Sequence, residues 1–223
     1  MANERITDEM VEAFRLLDTC CLSDAMDRLG IPCGLLGIKP VNPDSTLCGR
    51  AFTVHYVPCG TVHGTVGDFL DDVKPGEVVV IDNGGRTYAT VWGDLMSITA
   101  TRMGVGGTVI DGVCRDIPTI HKLGYNIFSK GCYMVTGKDR VEVDAINVPV
   151  SVSGVRVAPG DLMVGDATGV VVVPQERAAQ VLEVANEIAA KEAKIEENVA
   201  KGMTLRQARE QVHYHNLQTR EDS

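Results

Sequence analysis

A layered α/β or α+β domain is expected from three features of this 223-residue chain. Valine-rich runs of strand length are mixed with helical stretches, without the regular βαβ rhythm of a Rossmann sheet. The composition is that of an ordinary globular protein, 44% hydrophobic and 23% charged. A chain of this length buries roughly 70–75% of its unfolded surface and needs neither disulfide nor metal to fold. No apolar run approaches the roughly 18 residues of a membrane span; the greasiest, Val170 to Pro174, has the length of a buried strand.

Taken in order, residues 7–20 read as a helix. Thr7 stands at its N-cap, and Asp8 and Glu9 favour its start through the dipole, since Met10 occupies the place a capping-box Glu or Gln would need. A second short helix is expected from Ser23, as its cap, to a stop at Gly30. The run Leu47 to Pro58 is a strand. Pro75-Gly76 suits a type II turn, and the VVVI after it has buried-strand composition. A flexible loop holding Gly84, Gly85 and Gly93 then leads into a helix over 94–104, with apolar spacing at Leu95, Ile98 and Met103. A strand over 106–112, a short helix over 117–124 and several valine-rich strands over 141–173 follow. The longest helix spans 175–201 and stops at Gly202, with a shorter piece from Thr204. KPGEVVVIDNGG (74–85) and APGDLMVGDATG (158–169) share a turn-strand-turn pattern, which common turn chemistry explains.

Several function classes are disfavoured. The net charge is −9 (21 Lys+Arg against 30 Asp+Glu) and aromatics make up 4%, which is unlike a nucleic-acid binder. MANERITDEM lacks a secretory apolar core. Seven cysteines with no C-x-x-C pair indicate free thiols rather than a zinc site, so the chain reads as cytoplasmic and not membrane-bound. The glycine-rich stretch 104–109 lacks the third glycine of a dinucleotide fingerprint and follows a helix, not a strand. His55, His63, His121, His213 and His215 show no ligand spacing and read as structural or solvent-facing. Cys114 reads as core packing.

Chemistry concentrates between Asn83 and Asp116. The helix expected at 94 leaves the N–H groups around Gly93, Asp94, Leu95 and Met96 without intrahelical partners, and with the dipole these suit a small carboxylate. Arg115-Asp116 follows a buried strand: Arg clamps carboxylates bidentately, and Asp offers hard oxygens for Mg²⁺ or Mn²⁺. The plain alternatives are Asp94 and Asp116 as helix caps and Arg115 in a surface ion pair. In the long helix, Val181, Ala185, Ile188, Glu192, Ile195 and Val199 form one stripe, interrupted by the ionisable Glu192.

Asp94, twenty intervening residues and Arg115-Asp116 resemble the signature of the RraA-like family, which includes class II 4-hydroxy-4-methyl-2-oxoglutarate and 4-carboxy-4-hydroxy-2-oxoadipate aldolases. SDAMDRLG, CGRAFTV, KPGEVVVID, GDLMS, GVGGTVIDGVCRDI, APGDLMVGDATGVVVVP and the helix end at Glu192–Gly202 extend the likeness over nearly the whole chain. The resemblance implies one domain over 1–223, with a layered swivelling-type β core flanked by helices and a C-terminal helical arm over about 175–217. It implies trimers or hexamers with the site at the subunit boundary. The Gly93–Met96 backbone and Arg115 would hold a pyruvyl group, Asp116 would bind Mg²⁺ or Mn²⁺ largely through water, Asp94 would orient water there, and Glu192 would reach a neighbouring subunit's site. Thr119 departs from an acidic residue that part of the family carries, which bears on the substrate.

The activity so implied is cleavage of a 4-hydroxy-2-oxo acid to pyruvate, with oxaloacetate decarboxylation as a side activity. Both leave a pyruvate enolate, whose charge a Lewis-acid metal and preorganised donors would stabilise. Asp94 or Glu192, through water, is the candidate base. No Schiff-base lysine is required, and none lies between Lys74 and Lys122. The alternatives are a non-enzymatic regulator of ribonuclease E, and a lyase for another hydroxylated 2-oxo acid.

Overall fold

Residues 6–61 and 64–212 are described in this computed structural model. The helices are α1 (Asp8–Phe14), α2 (Thr19–Arg28), α3 (Asp94–Met103), α4 (Ile117–Leu123), α5 (Ala178–Ala200) and α6 (Leu205–Gln211). The strands are β1 (Lys39–Pro40), β2 (Leu47–Pro58), β3 (Val78–Thr90), β4 (Gly107–Cys114), β5 (Ile127–Cys132), β6 (Val141–Ile146), β7 (Val150–Val152), β8 (Val155–Val157), β9 (Leu162–Asp166) and β10 (Gly169–Val173).

One mixed sheet runs β1-β5-β4-β3-β2-β9-β10, with β6 also on β2, and β7–β8 form a separate hairpin. β2, β3, β4 and β5 are mutually parallel; β9 and β6 run antiparallel to β2. The period-2 alternation of the strands sorts side chains onto two faces. Phe52, Val54, Val79, Ile81, Ile110 and Ile127 face α3 and α4, whereas Ala51, Val78, Val80, Val109 and Phe128 face inward with the β7–β8 hairpin, Met163, Val170 and Val172. The outer face of β9–β10, through Leu162, Val164, Val171 and Val173, packs against α1, α2 and the Val181/Ala185/Ile188 stripe of α5. The result is the layered α/β fold expected, with a β core between two helical layers. Among the described residues no helix is long and apolar enough to cross a membrane, and the seven cysteines are free thiols.

Two local expectations are corrected. The helix of 7–20 is broken after Phe14, and the second helix starts at Thr19, not Ser23. Thr7 does cap the first helix, but Asp18 caps the second by accepting from Cys21 N–H at 2.7 Å. Ser23 therefore lies mid-helix. Gly84 and Gly85 are not in a flexible loop: β3 continues through them to Thr90. Asp82 pairs with Asp111 and Arg86 with Gly112, so residues 83–85 bulge from the ladder, with φ of 58° and 68° at the two glycines. The shared turn pattern is real in three dimensions, with positive φ at Gly76 and Gly160 (80° and 88°), and its two strands flank β2 on opposite sides.

Candidate active site

Gly93 ends the segment after β3 and caps α3 without a side chain. A Cβ there would stand 2.6 Å from Asp116 Oδ2 and 3.3 Å from Arg115 Nε, so the glycine lets the start of α3 approach the end of β4. Behind it, Trp92 is buried and stacked on Tyr125, with ring centroids 5.9 Å apart. Its Nε1–H donates to Ser97 Oγ (2.9 Å), whose hydroxyl donates to Gly93 O (2.8 Å). The first turn of α3 is thus fixed from the protein side.

Arg115 and Asp116 sit where β4 runs into α4. Arg115 N–H donates to Trp92 O at 3.0 Å, tying the two segments together. Asp116 occupies the N-cap position of α4 but forms no cap hydrogen bond with its side chain; it adopts φ 61°, ψ 38°, a left-handed conformation that costs about 1–2 kcal/mol outside glycine. That turn aims its carboxylate away from its own helix. Asp116 Oδ2 instead accepts from Asp94 N–H at 3.1 Å and lies 3.4 Å from Arg115 Nε. The Asp116 side chain therefore does not cap its own helix but accepts from the first amide of α3, and Gly93, not Asp94, holds the N-cap position of α3. Asp94 Oδ1 accepts from Leu95 N–H at 2.8 Å. Two of the amide groups expected to be open to a ligand, those of Asp94 and Leu95, donate to carboxylates of the chain itself.

Gly93, Asp94 and Arg115 open onto a cavity of about 310 Å³ whose walls also include Trp92, Leu95, Met96, Thr136 and Lys138. Asp116 lines an adjoining cavity of about 500 Å³, with Arg115 on the wall of both. Arg115 and Asp116 are 39% and 36% exposed, accessible yet ordered by their neighbours. Lys138 was not visible in the sequence as a site residue: it lies 23 positions beyond Arg115, outside the interval free of lysine. The fold delivers it because Thr90 pairs with Thr136, and because Gly137 has no Cβ, which would stand 2.3 Å from Thr90 O. A lysine in the connection leaving the strand next to β4 is the only sequence signal for it.

The remaining expectations divide. Gly93, Asp94, Leu95, Met96, Arg115 and Asp116 come together; Glu192 does not join them within one chain. Glu192 is half-buried on α5, where burial first and then Asp24 and Asp18 push its carboxyl up from the ordinary range. Its neighbours in the stripe are buried except Val199. Cys114 is buried, and burial pushes its thiol up to about 12, as suits core packing. His55 Nδ1 pairs with Asp144 at 3.1 Å and His121 Nε2 lies 3.4 Å from Val41 O, away from the cavity. His63, His213 and His215 lie outside the described residues.

A family model described as RraA-like, aldolase/RraA, matches residues 19–172. The chain belongs to the RraA-like family. It is 40% identical over 196 residues to protein DlpA of Legionella pneumophila, covering 86% of this chain but 32% of that one, so it spans about a third of DlpA. It is 35% identical over 175 residues to a protein of Halalkalibacterium halodurans named "Putative 4-hydroxy-4-methyl-2-oxoglutarate aldolase", covering 78% and 81% of the two chains. The structure of Streptomyces coelicolor RraAS2, described as an unusual member of the RNase ES inhibitor RraA protein family, superposes with a TM-score of 0.80 at 29% identity, over 85% of this chain and 97% of that one.

For this RraA-like chain the fit of a divalent metal turns on its donor set. Among the described residues no group of three or more His, Cys, Asp or Glu is placed to hold an ion. Mg²⁺ and Mn²⁺ do not need such a cage: one or two carboxylates, retained waters and a ligand's own oxygens suffice. Asp116 and Asp94, neighbours through the Asp94 N–H bond and each on one of two adjoining cavities that share Arg115, form that smaller set, and their hard oxygens fit it.

Proposed function

We propose that the chain is a divalent-metal-dependent class II aldolase that cleaves a 4-hydroxy-2-oxo acid of the 4-hydroxy-4-methyl-2-oxoglutarate type to pyruvate, and that it also decarboxylates oxaloacetate. The observation that carries this reading is the meeting of the α3 start, Arg115 and Asp116: Asp116 Oδ2 accepts from Asp94 N–H and lies beside Arg115, whose side chain lines both adjoining cavities. Arg115 holds the C1 carboxylate of the substrate, together with the amide groups of the first turn of α3. Asp116, with Asp94 beside it, would hold Mg²⁺ or Mn²⁺, which supplies Lewis-acid polarisation of the keto group when bound. Asp94, through water, takes the proton of the C4 hydroxyl; the C3–C4 bond breaks, its electron pair passes into the pyruvate enolate, and C4 becomes a carbonyl. Oxaloacetate yields the same enolate by losing carbon dioxide. Lys138 faces the distal carboxylate of a dicarboxylic substrate as a charge partner, not as an imine-forming amine.

The substrate is thus a small 2-oxo acid, and Glu192 serves the site of a neighbouring chain in a trimer or hexamer. Pyruvate release is expected to vanish with EDTA and return with Mg²⁺; turnover without metal refutes the reading. Lys138→Ala is expected to raise KM for dicarboxylic substrates on the order of 10-fold, as for loss of one charge-assisted bond. Borohydride reduction in the presence of pyruvate is expected to trap no adduct, and an adduct on Lys138 would replace the metal chemistry with imine chemistry. The likeness to RraAS2 supports a second reading, a non-enzymatic regulator of a ribonuclease. Stable binding to ribonuclease E with no lyase activity on a panel of 2-oxo acids selects it.

A further inference from the structure

We infer that Cys114 and Cys132 form a reversible disulfide that switches the Arg115-Asp116 segment, making this pair a site of oxidation by hydroperoxides. The two residues are direct register partners on the parallel strands β4 and β5, and the ladder is closed at that point by Tyr133 N–H donating to Cys114 O at 2.9 Å. Neighbouring strands place such partners about 4.8 Å apart, inside the range of about 4.4–6.8 Å between Cα atoms that a disulfide spans. The thiols of three other cysteines turn elsewhere: Cys21 to Ala185 O, Cys48 to Val11 O and Cys33 to Ser23 Oγ.

The two cysteines have different access. Cys132 is exposed, so an oxidant reaches it first, while Cys114 is buried with its Sγ 3.7 Å from Ser129 Oγ and 3.9 Å from Gly131 O. A hydroperoxide accepts two electrons from the Cys132 sulfur: its O–O bond breaks, Cys132 becomes a sulfenic acid, and water or an alcohol leaves. Cys114 sulfur then attacks the Cys132 sulfur, the S–O bond breaks, the hydroxyl leaves as water with the thiol proton, and the S–S bond forms. A small thiol reverses the bond by exchange. The placement gives the crosslink its consequence. Cys114 is followed at once by Arg115 and by Asp116 in its left-handed conformation, so drawing Cys114 from Ser129 toward Cys132 shifts the backbone that aims both side chains.

The effect on turnover rests on the aldolase reading, whereas the crosslink is read by mass and does not. The full chain is treated with hydrogen peroxide, alkylated, digested without reduction and mapped. The expected result is a linked peptide pair holding Cys114 and Cys132, cleaved by dithiothreitol, with pyruvate release reduced at least 5-fold in the linked form and restored on reduction. Cys132→Ser is expected to abolish both the link and the peroxide sensitivity while keeping basal activity, and Cys20→Ser, at another exposed thiol, to abolish neither. Cys114→Ser is expected to let Cys132 proceed to sulfinic acid. The inference is overturned if both thiols stay alkylatable under conditions that oxidise Cys20, if the links found join other cysteines, or if Cys132 in the unaltered chain goes to sulfinic acid without a link.

Discussion

β4 carries Asp111 within its length and delivers Asp116 just past its end, and the two carboxylates have opposite surroundings. The Asp111 side chain is 7% exposed; Lys130 Nζ lies 2.6 Å from its Oδ1, and Ser153 N–H donates to its Oδ2 at 3.0 Å. Its register partner on β3, Asp82, accepts from Gly84 and Ser151 N–H at 2.9 and 3.3 Å. Together these acids latch the β7–β8 hairpin onto the sheet. Asp116 is 36% exposed, strained in backbone and open to the cavity of about 500 Å³ that it lines together with Arg115. A carboxylate enclosed by the protein's own donors is architecture, whereas one left open beside a guanidinium is the one the proposed chemistry uses.

That contrast predicts which changes damage which property. The largest effect is expected at the open end: Arg115→Ala lowers kcat/KM for pyruvate release on the order of 10²–10³-fold, with a raised KM and a lowered kcat. Asp116→Ala abolishes stimulation by Mg²⁺, and neither variant lowers the Tm appreciably; steady-state kinetics over a metal titration, alongside thermal melts, check this. If both variants keep full activity, the assignment of the site fails.

The enclosed end should behave in the reverse way. Asp111→Ala leaves Ser153 N–H and Lys130 without their buried acceptor, at a cost of about 2–3 kcal/mol. Calorimetry should show a Tm lowered by about 5–10 °C, with the kinetics of the folded fraction unaltered. A loss of turnover without loss of stability would erase the distinction between the two aspartates.

Gly93→Ala sharpens it further. The new Cβ meets Asp116 Oδ2 at 2.6 Å and must displace that carboxylate. Metal affinity, read by Mg²⁺ activation curves, is expected to weaken about 10-fold, as when the partners of a ligand are disturbed, with little change in Tm. The smallest effect concerns two acids on α5 with opposite shifts. Burial, with Asp24 and Asp18, raises Glu192, so its share of stability is present below the ordinary glutamate range and lost as pH rises through the raised value. Lys191 and Arg28 hold Glu187 below its ordinary range, so its share is present above that range and lost as pH falls. Glu192→Gln should therefore raise the Tm at pH 7, by less than about 2 °C, with the difference shrinking by pH 4. Glu187→Gln should lower the Tm at pH 7, again with a smaller difference in acid.

Much of this contrast was legible in the sequence because it is local. Leu47–Pro58 forms a strand with the expected bounds, Gly104 and Gly124 end their helices in left-handed conformations, and Asp94, Arg115 and Asp116 meet as their motif suggests. What could not be read depends on distant partners or on backbone choices with equal local cost. Asp18 and Ser23 are both good caps, and the start at Asp18 is held by Thr19, whose N–H and hydroxyl donate to the distant Asp166. A pair of glycines reads as a loop, yet β4 on one side keeps residues 84 and 85 within a bulged strand. Lys138 reaches the cavity through the Thr90–Thr136 bridge, which no spacing encodes. The latch by Asp82 and Asp111 depends on a hairpin some forty residues downstream of Asp111.

Titration calorimetry with oxalate, a planar mimic of the pyruvate enolate, in the presence of Mg²⁺ tests the shared role of the α3 start, Arg115 and Asp116 most directly. One oxalate is expected to bind per chain, with binding lost without Mg²⁺, lost in Arg115→Ala and Asp116→Ala, and kept in Asp111→Asn at a temperature where that variant is folded. Oxalate bound equally well by Arg115→Ala, or by the metal-free protein, would contradict it.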